Sequence, residues 1–412
     1  MSCPQPTQGV EAPQPVQRRR ILHVVPTYYP AVRYGGPIRS VHGLASALAR
    51  RGHDVHVFTT NMDGDENLDV PLDRPVVRDG VNVHYFPVPA LRRLAWSPAM
   101  GRALRESAAD FDVMHLHAVF VWPLQAAARA ARRARVPYLL APRGMLVRDV
   151  IRGRSRWIKS AWIELFERRT LARAAGLHAT AEIEIEDVRS LGLKFAAAYC
   201  VPNGVEWPRA HPSLGSGPYA GITRQYALFL SRISWKKGLD RLIRAWKHVP
   251  YLPLVIGGND YEGLIPELTE LARREGVQDR VVFLGPVSDL DKWALYENAQ
   301  LFVLPSYSEN FGNVVAEAMA MRCPVIVTRA VGVAPLVEQY GAGLVCGDTP
   351  VDIAAAVNRI ASDGPLRREC GARGRAAVEA VLSWDAIAAQ MEQVYEEIAV
   401  PKLLPLTAVA PS

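Results

Sequence analysis

An α/β protein of two halves, joined by a hinge with a cleft between them, is predicted by three features of the sequence. Short apolar runs stopped by proline or glycine alternate with stretches of helical periodicity, as buried parallel strands alternate with their crossover helices. That alternation breaks once, over residues 203–225, where Pro, Ser and Gly gather, and then it restarts. A chain of 412 residues is long for one core and comfortable for two.

The first 19 residues are rich in Gln and Pro and read as a disordered tail (1–19). The first half is expected over 20–205. It opens with the apolar run Ile21-Leu22-His23-Val24-Val25, halted by Pro26, as the first strand. Gly35-Gly36-Pro37 then forms a loop, with the proline suited to a first helical turn. Apolar Val41, Leu44, Ala45 and Leu48 recur at helical spacing up to Gly52, and Asp54-Val55-His56-Val57-Phe58 is the next strand. Further strands are expected over 81–86, 113–116, 138–141, 177–179 and 198–201, with a helix over 155–174. A linker (206–225) precedes the second half (226–382), whose strands are placed at 226–230, 253–256, 281–283, 301–304 and 324–327. A last helix is expected over 384–398, within a segment 383–399, before a C-terminal tail (400–412).

One stretch of the second half points to chemistry. Directly after the apolar run Leu301-Phe302-Val303-Leu304-Pro305 the chain reads Glu309-Asn310-Phe311-Gly312-Asn313-Val314-Val315-Ala316-Glu317. A helix starting there offers free backbone N–H groups and a positive dipole end to an anion such as phosphate. Gly312 would let that anion come close. Carboxylates cannot bind phosphate, but Glu309 and Glu317 can accept hydrogen bonds from hydroxyls on either side of it. A diphosphate flanked by polyols is a nucleotide sugar. Charge-dipole capping would also place glutamates at a helix start, so the motif alone decides nothing. Arg232 and Lys237, in Ser231-Arg232-Ile233-Ser234-Trp235-Lys236-Lys237-Gly238, precede another expected helix, where the dipole disfavours cations. As a diphosphate clamp they make sense. A departing nucleoside diphosphate gains negative charge, which fixed cations stabilise.

With these segments in order, the chain resembles the retaining group 1 (family 4) glycosyltransferases of the GT-B fold. The match rests on Arg232 with Lys237-Gly238, Gly257-Gly258, the run Val281-Val282-Phe283-Leu284-Gly285, and the two-glutamate spacing of Glu309 and Glu317. In the first half Gly35-Gly36, residues 112–117 and Val201-Pro202-Asn203-Gly204-Val205 also fit. The resemblance implies two Rossmann-like domains, a C-terminal helix that crosses back to the first, and a nucleoside-diphosphate-sugar donor held mainly by the second. It implies Glu317 on the ribose hydroxyls, Glu309 on the transferred sugar, and His117 near the reacting carbon. Gly35, Gly36, Gly257, Phe311, Gly312, Asn313 and Val314 would face the donor. Arg143, just after a strand, is a candidate for the acceptor, and His115 is expected to point into the core. No separate cofactor is expected. Asp63-Gly64-Asp65 and Asp289-Leu290-Asp291 resemble the D-x-D metal motif of another glycosyltransferase architecture but lack its strand context, so no essential metal is expected. The absence of G-x-G-x-x-G weakens a dehydrogenase reading. The expected reaction moves a hexose to a hydroxyl of a polysaccharide-repeat or lipid-linked acceptor. Alternatives are a GT-B nucleotide-sugar epimerase and a non-enzymatic anionic-lipid binder.

Composition is that of a soluble globular protein, 49% hydrophobic and 22% charged. Five scattered cysteines without a C-x-x-C pair argue against a disulfide framework or a zinc site and fit a reducing cytoplasm. No apolar run reaches membrane-spanning length. The formal charge of +7 is unevenly spread: residues 129–173 hold 13 Lys/Arg against Asp149, Glu164 and Glu167. Such a patch suits nucleic acid, anionic lipid or a phosphorylated acceptor. Given the resemblance, nucleic acid is not an expected partner, whereas the inner face of a membrane is. The run from Trp157 to Arg169 mixes apolar and basic residues as an interfacial helix would, although a core helix with a basic outer face has the same pattern.

Overall fold

The computed structural model describes residues 17–31, 35–147, 156–208, 210 and 225–399. The predicted tails and most of the predicted linker lie outside them. Among the described residues no helix is long and apolar enough to cross a membrane.

The central strands are apolar on both faces, so each sheet needs helices on both sides. Ile21, Leu22 and Val24 are fully buried, as are all of Leu301, Phe302, Val303 and Leu304. The first sheet has eight strands, in the order Ala198–Cys200, Gly176–Ala179, Tyr138–Ala141, Val113–His117, Arg20–Val24, Asp54–Thr60, Val81–Phe86 and Val76–Arg78. Its neighbours pair in parallel except Val76–Arg78, which runs antiparallel at the edge. The second sheet is parallel throughout, in the order Val281–Gly285, Leu254–Gly257, Ala227–Leu230, Leu301–Leu304, Val325–Thr328 and Gly343–Cys346. Each sheet reverses its winding beside its first strand, between Arg20–Val24 and Val113–His117 and between Ala227–Leu230 and Leu301–Leu304. Crevices open at such reversals, beyond the carboxyl ends of the strands. The loops named above as candidates all leave these strand ends.

The helix Gly36–Arg50 has proline in its first turn and buries Ile38, Val41, Leu44, Ala45 and Leu48 along one stripe. The helix Trp384–Ile398 is capped by Ser383, whose hydroxyl accepts from the amide of Ala386. It packs back on the first sheet. Glu392 takes both hydrogen bonds of the Arg51 fork at 2.7 Å and a third contact from His53 at 2.9 Å. Tyr199 donates to Glu397 at 2.8 Å. The Trp384 ring fits because Gly43 and Gly204 have no side chains: a Cβ would lie 2.1 Å from it at Gly43 and 2.5 Å at Gly204.

Three departures from the sequence reading stand out. Short strands Met62–Asp63 and Glu66–Asn67 pair around Asp63-Gly64-Asp65, so that segment is a hairpin turn. Val76–Arg78 and Gly343–Cys346 are strands that the sequence reading did not place; both lie at sheet edges and are only partly buried. The predicted helix over 155–174 is interrupted by a π turn, Ile163–Glu167, between Arg156–Trp162 and Arg168–Ala172. The wider turn lets Trp162 Nε1 donate to Glu167, five residues on, at 2.8 Å.

Candidate active site

The second domain supplies a wall made of backbone and charge. Leu301–Leu304 ends in a loop whose Gly312, at φ 96°, precedes the helix Asn313–Ala320 in a left-handed conformation. A Cβ at Gly312 would also lie 2.9 Å from Val331. The loop is braced by Val331 and Val333: Gly332 N–H donates to Glu309 O and Val333 N–H to Phe311 O. The loop after Ala227–Leu230 brings Arg232 and Lys237 to the same opening. Lys237 is almost buried and makes an ion pair with Glu309. Four residues into the helix, Glu317 pairs with Lys292 at 2.7 Å and accepts from the Tyr296 hydroxyl at 3.2 Å.

The first domain supplies a wall made of buried rings. His23, His115, His117 and His178 lie on the strands Arg20–Val24, Val113–His117 and Gly176–Ala179 and are all buried. The Arg143 guanidinium donates to Nδ1 of His117 (3.2 Å), and Nε2 of His117 lies 2.9 Å from Nδ1 of His23. This order leaves His117 donating to His23. A second chain runs from the Tyr395 hydroxyl to His115 (2.8 Å), to His178 (3.0 Å) and to the carbonyl of Val201 (2.9 Å). Burial first, then the charge of Arg143, lowers His23 to a pKa of about 3, and His178 falls to a similar value for the same reasons. His115 and His117 are lowered too, chiefly by burial. Arg143 itself is lowered to about 10 by burial, with Glu184 acting against the shift.

Between the walls lie two adjoining chambers, of about 380 and 820 Å³. They share Gly35, Gly36, Arg232, Asn313 and Val314 at their common neck. Lys237, Glu309 and Arg143 line the smaller chamber. Glu317, Lys292 and Trp384 line the larger. The domains touch across the cleft. Arg143 donates to Asn203 (3.0 Å), and Asn203 donates to Asn313 (3.0 Å). Asn310 donates to Thr180 at 2.7 Å and to Glu184 at 3.3 Å, while Arg39 meets Asp289 at 2.5 Å.

The candidates from sequence therefore divide. Glu309, Glu317, Arg232, Lys237, Gly35, Gly36, Phe311, Gly312, Asn313, Val314 and Arg143 all line the cleft. His117 does not. It is 2% exposed, with Arg143 bonded to it and lining the chamber. Gly257 also departs from its assigned place. It is packed inside the sheet, where a Cβ would meet Leu230 and Val287 at 2.8 Å, and the next residue, Gly258, lines the larger chamber. Lys237, expected to face phosphate, also neutralises Glu309. His115 points inward, as expected.

Several contributors went unnoticed in the sequence. Asn310, Thr180 and Glu184 form one cross-cleft cluster in which the Glu184 carboxylate also accepts from Gly144 N–H (2.6 Å) and Thr180 N–H (2.9 Å). Lys292 and Trp384 come from elements whose approach only the fold creates. Among the described residues, His23, His115 and His117 are the one group with ring nitrogens close enough for a shared ion. The Arg143 charge beside them, and hydrogen bonds that already occupy both ring nitrogens of His115 and His117, make the cluster a poor cation site. Asp289 is held by Arg39 and Asp291 by the Ser288 hydroxyl (2.7 Å).

Comparison with known proteins agrees with this geometry. Residues 35–204 match the family model "Glycosyl transferase 4-like domain", and residues 221–377 match "Glycosyl transferases group 1". The chain is 28% identical over 392 residues to the D-inositol 3-phosphate glycosyltransferase of Xylanimonas cellulosilytica, covering 88% of this chain and 92% of that protein. It is 28% identical over 410 residues to the glycogen synthase of Mycobacterium tuberculosis, covering 91% and 94%. Among solved structures, the sucrose-phosphate synthase from Thermosynechococcus elongatus superposes with a TM-score of 0.73 at 22% identity, over 92% of this chain and 99% of that one. Anabaena Alr3699/HepE in complex with UDP and glucose gives 0.68 at 19% identity, over 92% and 100%.

Proposed function

The chain belongs to the group 1 glycosyltransferases of the GT-B fold, and from that premise we propose that it is a retaining, metal-independent hexosyltransferase using a nucleoside-diphosphate sugar. The observation that carries the proposal is the shared neck of the two chambers. Arg232 and the start of the helix at Asn313 meet there, so a diphosphate at the neck has a cation and free N–H groups beside it. The nucleoside then occupies the larger chamber, where Glu317 can accept from ribose hydroxyls. The sugar occupies the smaller one, beside Glu309 and Lys237.

In the transfer, the bond between the anomeric carbon and the diphosphate oxygen breaks. The bond to the acceptor oxygen forms on the same face. The acceptor proton passes to the departing phosphate oxygen, so the configuration is kept and no protein nucleophile is needed. Arg232 and Lys237 stabilise the charge that builds on the leaving group. Contacts across the cleft, such as Asn203 with Asn313, exclude water from the donor. The acceptor is a hydroxyl of a saccharide repeat or a lipid-linked sugar, reaching the anomeric carbon from the Arg143 side.

The test is a thermal-shift screen over uridine, guanosine and adenosine diphosphate hexoses, followed by turnover with the stabilising donor in EDTA. A rise in melting temperature for one donor and release of its nucleoside diphosphate in EDTA are expected. A new sugar isomer formed without acceptor would instead make the enzyme an epimerase.

A further inference from the structure

Away from the cleft, two helical segments bring arginines together around a second pocket, of about 230 Å³. Arg129 and Arg132 come from the helix Trp122–Ala134, Arg169 from the helix Arg168–Ala172 and Arg173 from directly after it. All four are exposed, and among the described residues none has an acidic side chain within ion-pair distance. Four like charges around one hollow repel one another, and a bound anion removes that repulsion. Exposure of cations is ordinary by itself. What sets this face apart is the apolar surface beside them: Leu165 lines the same pocket and is 62% exposed. Two turns earlier on the same run, Trp157 and Ile158 are 75% and 70% exposed. A soluble anion has no use for exposed Trp, Ile and Leu side chains, whereas a bilayer uses both groups at once.

We propose that this face docks the enzyme on an anionic phospholipid bilayer, with a lipid phosphate in the Arg129–Arg132–Arg169–Arg173 pocket and Trp157, Ile158 and Leu165 inserted at the level of the headgroups. Docking there would hold the enzyme on the same bilayer that carries a lipid-linked acceptor. The inference stands apart from the donor assignment, because membrane binding is read with neither donor nor acceptor present.

The experiment is co-sedimentation of the full chain with vesicles of phosphatidylcholine alone or mixed with phosphatidylglycerol. Binding to the mixed vesicles that weakens with salt is expected, with little binding to phosphatidylcholine. Replacing Arg129 and Arg169 by Gln should weaken it about fivefold for each arginine. The triple change Trp157→Ser, Ile158→Ser, Leu165→Ser should remove the binding that survives high salt. As a check free of any variant, hydrogen exchange of the wild type over 156–173 should slow when mixed vesicles are added. Equal binding to neutral vesicles, undiminished binding of the Arg129→Gln/Arg169→Gln protein, or stabilisation by inorganic phosphate without vesicle binding would each overturn the proposal.

Discussion

The two walls of the cleft solve opposite problems. The second domain presents charge that is paired but still accessible: Lys237 with Glu309, Glu317 with Lys292, and Arg232 exposed at the neck. The first domain hides its polarity, stacking neutral imidazoles behind Arg143 and tying them to Tyr395 on the C-terminal helix. Charge that meets substrate must keep its choice of partner, and charge near a core must be neutralised or buried as neutral rings. The first wall should therefore respond to substitution through stability, and the second through turnover.

The largest effect is expected from Arg232→Ala, exposed at the neck, with turnover falling ~10²–10³-fold while the melting temperature of the free enzyme barely moves. A large loss of stability with intact turnover would erase the contrast. Next comes acid. His23 and His178 have folded pKa values of about 3 against 6.5 in the unfolded chain, so the unfolded state binds more protons between those values. Their stabilising contribution is complete above pH 6.5 and is lost as pH falls through the window toward 3. Each should remove about 2 kcal/mol on going from pH 7 to 5. Urea unfolding at the two pH values measures this, and an unchanged midpoint would mean the rings already carry protons when folded. The smallest of the three is Glu317→Gln. Lost hydrogen bonds to a charged acceptor should weaken the donor about tenfold, read by calorimetry. Donors lacking the ribose hydroxyls should bind wild type and variant alike.

The same division explains what could be read from residues alone. The second wall is local: Glu309 to Glu317, and Arg232 to Lys237, each sit on one strand-loop-helix segment, so spacing along the chain is spacing in the site. The first wall is assembled from strands far apart in the chain. His117 looked like a cleft residue because it ends an inner strand, but Arg143, arriving from the neighbouring strand Tyr138–Ala141, covers it. Gly257 and Gly258 show the same limit within two residues, since which one faces a ligand depends on how the strand end packs on Val287.

By itself, the sequence determined the alternation of strands and helices, the split into two halves and the residue types of the cleft loops in the second half. Apolar periodicity and helix-start residues act over a few neighbours along the chain. Only the tertiary structure decided that Trp384 closes over Gly43 and Gly204, that Asn310 meets Thr180 and Glu184 across the cleft, and that four arginines from two segments share one pocket. These contacts join residues separated by tens to hundreds of positions. Their pairing follows from the order of strands in the sheets and the way the domains close, which local periodicity does not encode.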